Sequence, residues 1–270
     1  MTRFSVNGMA AYGMALSEEL AMYHRLGVRR IGLSATKLAA IGWDRAVDEL
    51  STAGAASGID VDYLFMAFTS GPSEEGGWAT ELRVMSEALT AGHRLGVRTL
   101  YFTTGPSGTD PWEVAAERLG GRLAPLTALA AELGIVLAVE NSMSIRSDIS
   151  FVHSVADAAV LAGQLDLGLC VDLYCAWQER GLAATIRAAV DRIQLVQVSD
   201  FRVGTLTVPN RWVPGDGDLP LERMLDEVLS AGYQGPIDLE LAGPAIDDLG
   251  ADKAIGRGLD WLAAHARAAC

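Results

Sequence analysis

A chain of 270 residues, half of them hydrophobic and one fifth charged, has the apolar surface for a substantial core and is not composed like a disordered polymer. Its net charge of -13 speaks against a nucleic-acid backbone as ligand, because phosphate binding needs clustered Lys and Arg. Three cysteines, Cys170, Cys175 and Cys270, show neither a CxxC pair nor zinc-finger spacing, which disfavours a disulfide framework and a structural zinc site. The N-terminal stretch has no long apolar core, and no segment reaches about 18 uninterrupted apolar residues. These features lead us to expect a soluble, cytoplasmic protein that binds neither nucleic acid nor membrane.

Short apolar runs at 2–6, 29–34, 60–68, 98–103, 135–140, 167–173, 194–199 and 236–241 read as strands, each followed by helical periodicity. One βα unit repeats along the chain. Gly27, Gly58, Gly96 and Gly134 fall 31, 38 and 38 residues apart, each where a helix must close before the next strand, and HRLGVR recurs after 69 residues. Eight such units predict a mostly parallel sheet buried on both faces; within a single domain spanning 1–270 this is a (β/α)8 TIM barrel. An open doubly wound sheet is the competing fold, but no GxGxxG follows the first strand.

Two irregular segments, 69–78 after the third strand and 200–219 after the seventh, are candidate mouth loops, and the longer one reads as a substrate lid. Trp78 and Trp112 are candidate exposed aromatics for the pairing of such barrels into a homo-oligomer.

Four polar side chains stand where an apolar strand gives way to a loop: Glu140, Asp172, Gln197 and Glu240. Alternation along a strand puts Ala138 with Glu140, Cys170 with Asp172, Leu195 with Gln197 and Asp238 with Glu240 on shared faces. If those faces point inward, the four ring one spot at the C-terminal mouth of the barrel. A buried carboxylate is costly unless compensated, so three carboxylates and an amide suggest one shared hard divalent cation, Mn²⁺ or Mg²⁺ rather than Zn²⁺. Such an ion would polarise a hydroxycarbonyl substrate, with Glu140 and Glu240 as the acid/base pair. Cys175 has no His or Lys near it in sequence and reads as pocket wall, with Trp177 as a further candidate beside it. Arg146 and Arg202 lie on mouth loops as substrate-binding candidates, and His153 reads as a surface residue.

The segments VEN at 139–141, VDLY at 171–174, VQVSD at 196–200, RWVPGDGDLPL at 211–221 and LEL at 239–241 resemble, in order and spacing, the xylose isomerase-like barrels of the sugar phosphate isomerase/epimerase type. This group includes hydroxypyruvate isomerases, ketose 3-epimerases and inosose dehydratases. The resemblance implies one divalent metal on Glu140, Asp172, Gln197 and Glu240, and a substrate contact from Arg211. Against that pattern Cys175 and Ser142 stand where relatives often carry His, and Gln197 replaces a common His. No Gly-rich phosphate cradle occurs, so a phosphorylated substrate is not indicated. The function expected is a metal-dependent isomerase or epimerase of a small hydroxycarbonyl molecule; a lyase or dehydratase on the same site and a non-catalytic ligand-binding barrel are the alternatives.

Overall fold

The computed structural model describes residues 3–265, so the first residue of the expected opening strand and Cys270 lie outside the described residues. Eight parallel strands form the centre: β1 (Arg3–Asn7), β2 (Arg30–Ser34), β3 (Asp60–Ala67), β4 (Thr99–Thr103), β5 (Val136–Glu140), β6 (Gly168–Asp172), β7 (Ile193–Val198) and β8 (Pro236–Leu239). Each pairs with its neighbour in sequence, and β1 closes on β8 through Arg3 to Val6 against Pro236 to Leu239. The chain is therefore a single closed (β/α)8 barrel, with every expected strand present to within two residues at either end.

Burial explains why these runs are strands. Every residue of β4 and of β6 is buried, as a parallel strand covered by helices outside and side chains inside requires. The outward residue Phe102 meets Phe68 at 5.6 Å between ring centroids, and Phe68 meets Trp78 of the helix Glu75–Arg94 at 4.5 Å. That helix begins inside the expected 69–78 loop, because Trp78 lies on its core-facing stripe and is fully buried. Trp112 is half-buried and packs edge-on against Phe151. Neither tryptophan offers the exposed pairing surface expected from sequence; both serve to seat a helix on the barrel.

The unit boundaries follow the glycine pattern: Gly27, Gly58, Gly96 and Gly134 all adopt left-handed φ between 65° and 74°. Asp166, at φ 52°, does the same work after the helix Val155–Leu165. Inside the barrel, Tyr63, Phe65, Tyr101, Ala138, Cys170 and Leu195 form the packed floor beneath the mouth. Tyr101 lies 5.4 Å from Tyr63 and 5.5 Å from Phe65, centroid to centroid. Tyr63 occupies the space that a side chain at position 32 would need; a Cβ on Gly32 would fall within its ring.

The 200–219 segment is strapped rather than loose. Asp200 and Trp212 form an isolated antiparallel bridge. The Asp200 carboxylate accepts from the backbone N–H groups of Phe201 at 2.8 Å, Gly215 at 2.9 Å and Leu219 at 3.0 Å. This fixes the turn that carries Arg211 back over the mouth. No described helix is long and apolar enough to cross a membrane.

Gly32→Ala should destabilise the barrel by about 1–3 kcal/mol through overpacking against Tyr63, read from the midpoint of urea unfolding. An unchanged midpoint would show that the Tyr63 ring yields freely.

Candidate active site

Register decides what the mouth contains. Glu140 and Asp172 are the last residues of β5 and β6, and Glu240 follows β8 directly. All three point inward, and one oxygen from each lies within 4.8 Å of the others. They sit beside a cavity of about 210 Å³ whose wall includes Glu140, Glu240, Arg211, Cys175, Met9 and Phe65.

Asp172 is fully buried and densely hydrogen-bonded. Its Oδ1 accepts from the Tyr174 N–H at 2.9 Å and from Arg211 Nη1 at 3.3 Å; its Oδ2 accepts from Arg211 Nη2 and from the Cys175 thiol, both at 2.8 Å. Arg211 Nη2 also stands 3.3 Å from Glu240 Oε1, and Nη1 donates to Ser199 Oγ at 2.9 Å. The guanidinium lies 4.4 Å over the Tyr174 ring. Arg211 is thus no surface residue paired with Asp216 or Asp218; it is buried within the acid cluster.

One arginine does not balance three buried carboxylates. Burial pushes the Glu140 carboxyl well above the ordinary carboxylate range, and the neighbouring Glu240 and Asp172 charges add to this. Burial likewise pushes Glu240 up to about 8, although Arg211 opposes it. Glu240 Oε2 is buried without a hydrogen-bond partner. The donor set suits a divalent cation: the oxygens are hard, they converge, and Glu240 Oε2 has a free lone pair.

Gln197 is placed differently. In the β7–β8 ladder it stands opposite Asp238, two residues before Glu240. It also stands opposite Asp172 in the β6–β7 ladder, and its amide donates to Tyr101 Oη at 3.0 Å and accepts from the Cys170 thiol at 3.2 Å. Asn7 also donates to Tyr101 Oη at 3.0 Å, and Ser5 donates to Asp238 Oδ1 at 2.7 Å. A buried polar layer therefore supports the mouth from beneath.

Of the remaining candidates, Cys175 and Arg146 line the cavity, with Arg146 held by Asp148 at 2.9 and 3.0 Å. Trp177 does not line it; its ring packs against Phe201, 6.2 Å away. Arg202 is also outside, stacked 3.8 Å over Trp212 with its Nε donating to the Asp216 carbonyl. Both belong to the scaffold of the 200–219 strap. His153 stays partly exposed beside the Ser142 carbonyl, ahead of the helix that begins at Val155.

Sequence reasoning passed over Thr103 and gave Asp238, although on the face of Glu240, no role. Thr103 ends β4 as Glu140 ends β5, lines the cavity, and keeps a buried Oγ1 with no partner. The strand-end position was the available signal, but a neutral hydroxyl there is too ordinary to stand out. Asp238 shares a face with Glu240 and is fully buried, its polarity hidden within an otherwise apolar strand.

The geometry defines a (β/α)8 barrel with an acidic, cation-ready mouth, and the chain belongs to the xylose isomerase-like TIM barrel family, whose model matches residues 20–265. It is 32% identical over 174 residues to a putative hydroxypyruvate isomerase of Streptomyces coelicolor, covering 60% of this chain and 56% of the relative. It is 26% identical over 140 residues to an inosose isomerase of Halalkalibacterium halodurans, covering 49% of each. The matches thus span about half the length of these relatives. Among solved structures, the IolI protein with a bound zinc atom superposes with a TM-score of 0.82 at 19% identity, covering 96% of both chains. The D-psicose 3-epimerase of Clostridium cellulolyticum superposes with a TM-score of 0.79 at 15% identity, covering 98% of this chain and 99% of the other. At such identities the likeness is one of fold.

Burial pushes the Asp238 carboxyl from 3.8 up to about 6, against the hydrogen bond from Ser5 that lowers it. Because the folded state holds the proton more tightly, the stability cost is absent below the lower value and complete above the higher one. Asp238→Asn removes that cost. With a chelator present, its stability relative to wild type should rise between pH 4 and pH 7 by on the order of 2 kcal/mol. A difference that stays flat with pH in denaturant unfolding would contradict this.

Proposed function

We propose that the chain is a divalent-metal-dependent isomerase or epimerase acting on a small hydroxycarbonyl substrate, with Glu140 and Glu240 as the acid/base pair. The observation that carries this reading is the convergence of the Glu140, Asp172 and Glu240 carboxylates, within 4.8 Å of one another, beside one small cavity. The cavity, about 210 Å³, is below the roughly 300–1,000 Å³ of sites for drug-sized ligands, which suits a molecule of sugar size or smaller.

The metal, Mn²⁺ or Mg²⁺, would be held by Glu140, Asp172 and Glu240, with the Gln197 amide oxygen joining if it turns from Cys170. Such an ion supplies Lewis acidity that lowers the pKa of the carbon-bound proton beside a carbonyl. The residues then divide the work. One glutamate carboxylate takes that proton; the other, carrying a proton, returns it to the opposite face of the same carbon, which inverts the centre, or a proton goes to the former carbonyl carbon while the neighbouring hydroxyl passes its own to the former carbonyl oxygen, which shifts the carbonyl. Thr103 Oγ1 and the Arg211 guanidinium hold substrate oxygens away from the reacting carbon, and Met9 and Phe65 exclude water beside it. The names of the curated relatives, hydroxypyruvate isomerase and inosose isomerase, support this class of substrate.

The test is Mn²⁺-dependent exchange of a carbon-bound proton with deuterium from solvent, followed by NMR, using hydroxypyruvate, D-psicose and D-fructose as probes. Glu140→Gln and Glu240→Gln should each slow it by about 10²–10⁴. Glutamine variants that exchange at the wild-type rate would remove both residues from the mechanism. Exchange accompanied by loss of water from the product would replace the isomerase reading by a dehydratase.

A further inference from the structure

Asp172 carries an unusual load for a residue expected to ligate an ion. Its two oxygens offer about four lone-pair sites. Four donors occupy them: the Tyr174 N–H, the Cys175 thiol, and both ends of the Arg211 fork. No lone pair remains for a metal. Arg211 reaches past Asp172 to Glu240 as well, so the guanidinium stands among the same oxygens that an ion would use.

The four donors are not equally free to leave. Asp172 caps the short helical turn Leu173–Ala176, so the Tyr174 N–H is fixed by the backbone that follows β6. Cys175 rides on that same turn. Arg211 comes from elsewhere, carried by the strap between Asp200 and Leu219, and its own backbone N–H is anchored to the Ala242 carbonyl. Its side chain can withdraw without unfolding either element, and because it already lines the cavity it has somewhere to go. A guanidinium and a divalent ion on one buried carboxylate would also repel each other strongly where water does not screen them.

We propose that Arg211 and the divalent ion are alternative occupants of the Glu140, Asp172 and Glu240 triad: the arginine partners Asp172 and Glu240 when no ion is bound, and ion binding releases its guanidinium into the cavity. The inference rests on the metal-dependent reading above and adds an order of events. The ion loads first, and only then is Arg211 free to receive a substrate oxygen. The apparent affinity for the ion is lowered by the small fraction of molecules in which the fork has already let go.

The test pairs Mn²⁺ titrations, by calorimetry, with crystal structures of the wild-type protein with and without Mn²⁺. In the ion-bound structure both Arg211 contacts to Asp172 should be broken. Arg211→Gln should bind Mn²⁺ about tenfold tighter or more. Arg211→Lys, which keeps the charge but cannot span both Asp172 oxygens, should also bind it tighter. Tight binding by Arg211→Gln with none by wild type would support the exchange in its extreme form. An ion bound with the fork still on both Asp172 oxygens would overturn the exchange while leaving metal dependence intact. So would a lysine variant that binds like wild type, since charge alone would then account for the glutamine result. Failure of wild type and of both variants to bind Mn²⁺ would overturn the exchange and the metal-dependent function together. The wild-type structures decide the question even if a variant folds poorly.

Discussion

Everything at the mouth of this barrel answers to one constraint: three carboxylates are held out of water within reach of one another. An isolated buried charge is expensive, and the fold spreads that cost over several devices. Asp172 is met by a backbone N–H, a thiol and a bidentate arginine; Glu240 shares the arginine; Glu140 keeps a raised proton affinity. The arginine is itself kept in place by Ser199 and by the face of Tyr174. A structural role alone would be served at lower cost by apolar side chains of similar size, which supports the proposal that the cluster is a site.

The layer beneath explains how the acids can be positioned so closely. Tyr101 collects hydrogen bonds from Asn7 on β1 and Gln197 on β7, tying strands on different sides of the barrel through its interior. Asp238, bonded to Ser5 across the β8–β1 seam, lies in the same layer. These contacts, with the aromatic floor of Tyr63, Phe65 and Tyr101, leave the mouth residues little freedom below.

Much of the fold was legible because it is written in local patterns. Gly27, Gly58, Gly96 and Gly134 close four helices in left-handed conformation and apolar runs of strand length recur eight times, and both depend only on near neighbours in sequence. Glu140, Asp172 and Glu240 were legible for a related reason: an acid closing an apolar strand is conspicuous, and alternation fixes its face. Trp78 misled because a helix that starts three residues earlier turns it into the core. Trp177 and Arg202 misled because nearness in sequence to a site residue says nothing about which side of the strap a side chain takes.

The amino-acid sequence by itself determined the repeating βα architecture and the inward carboxylates of β5, β6 and the end of β8, since strand alternation and helix termination act over a few residues. Only the tertiary structure decided that the Gln197 amide bonds Tyr101 and Cys170, because these partners come from β4 and β6 across the barrel interior. It also decided that Arg211, 39 residues from Asp172 along the chain, is that residue's partner. Such a pairing depends on barrel closure and on the path of a strapped loop, neither of which any short stretch of sequence encodes.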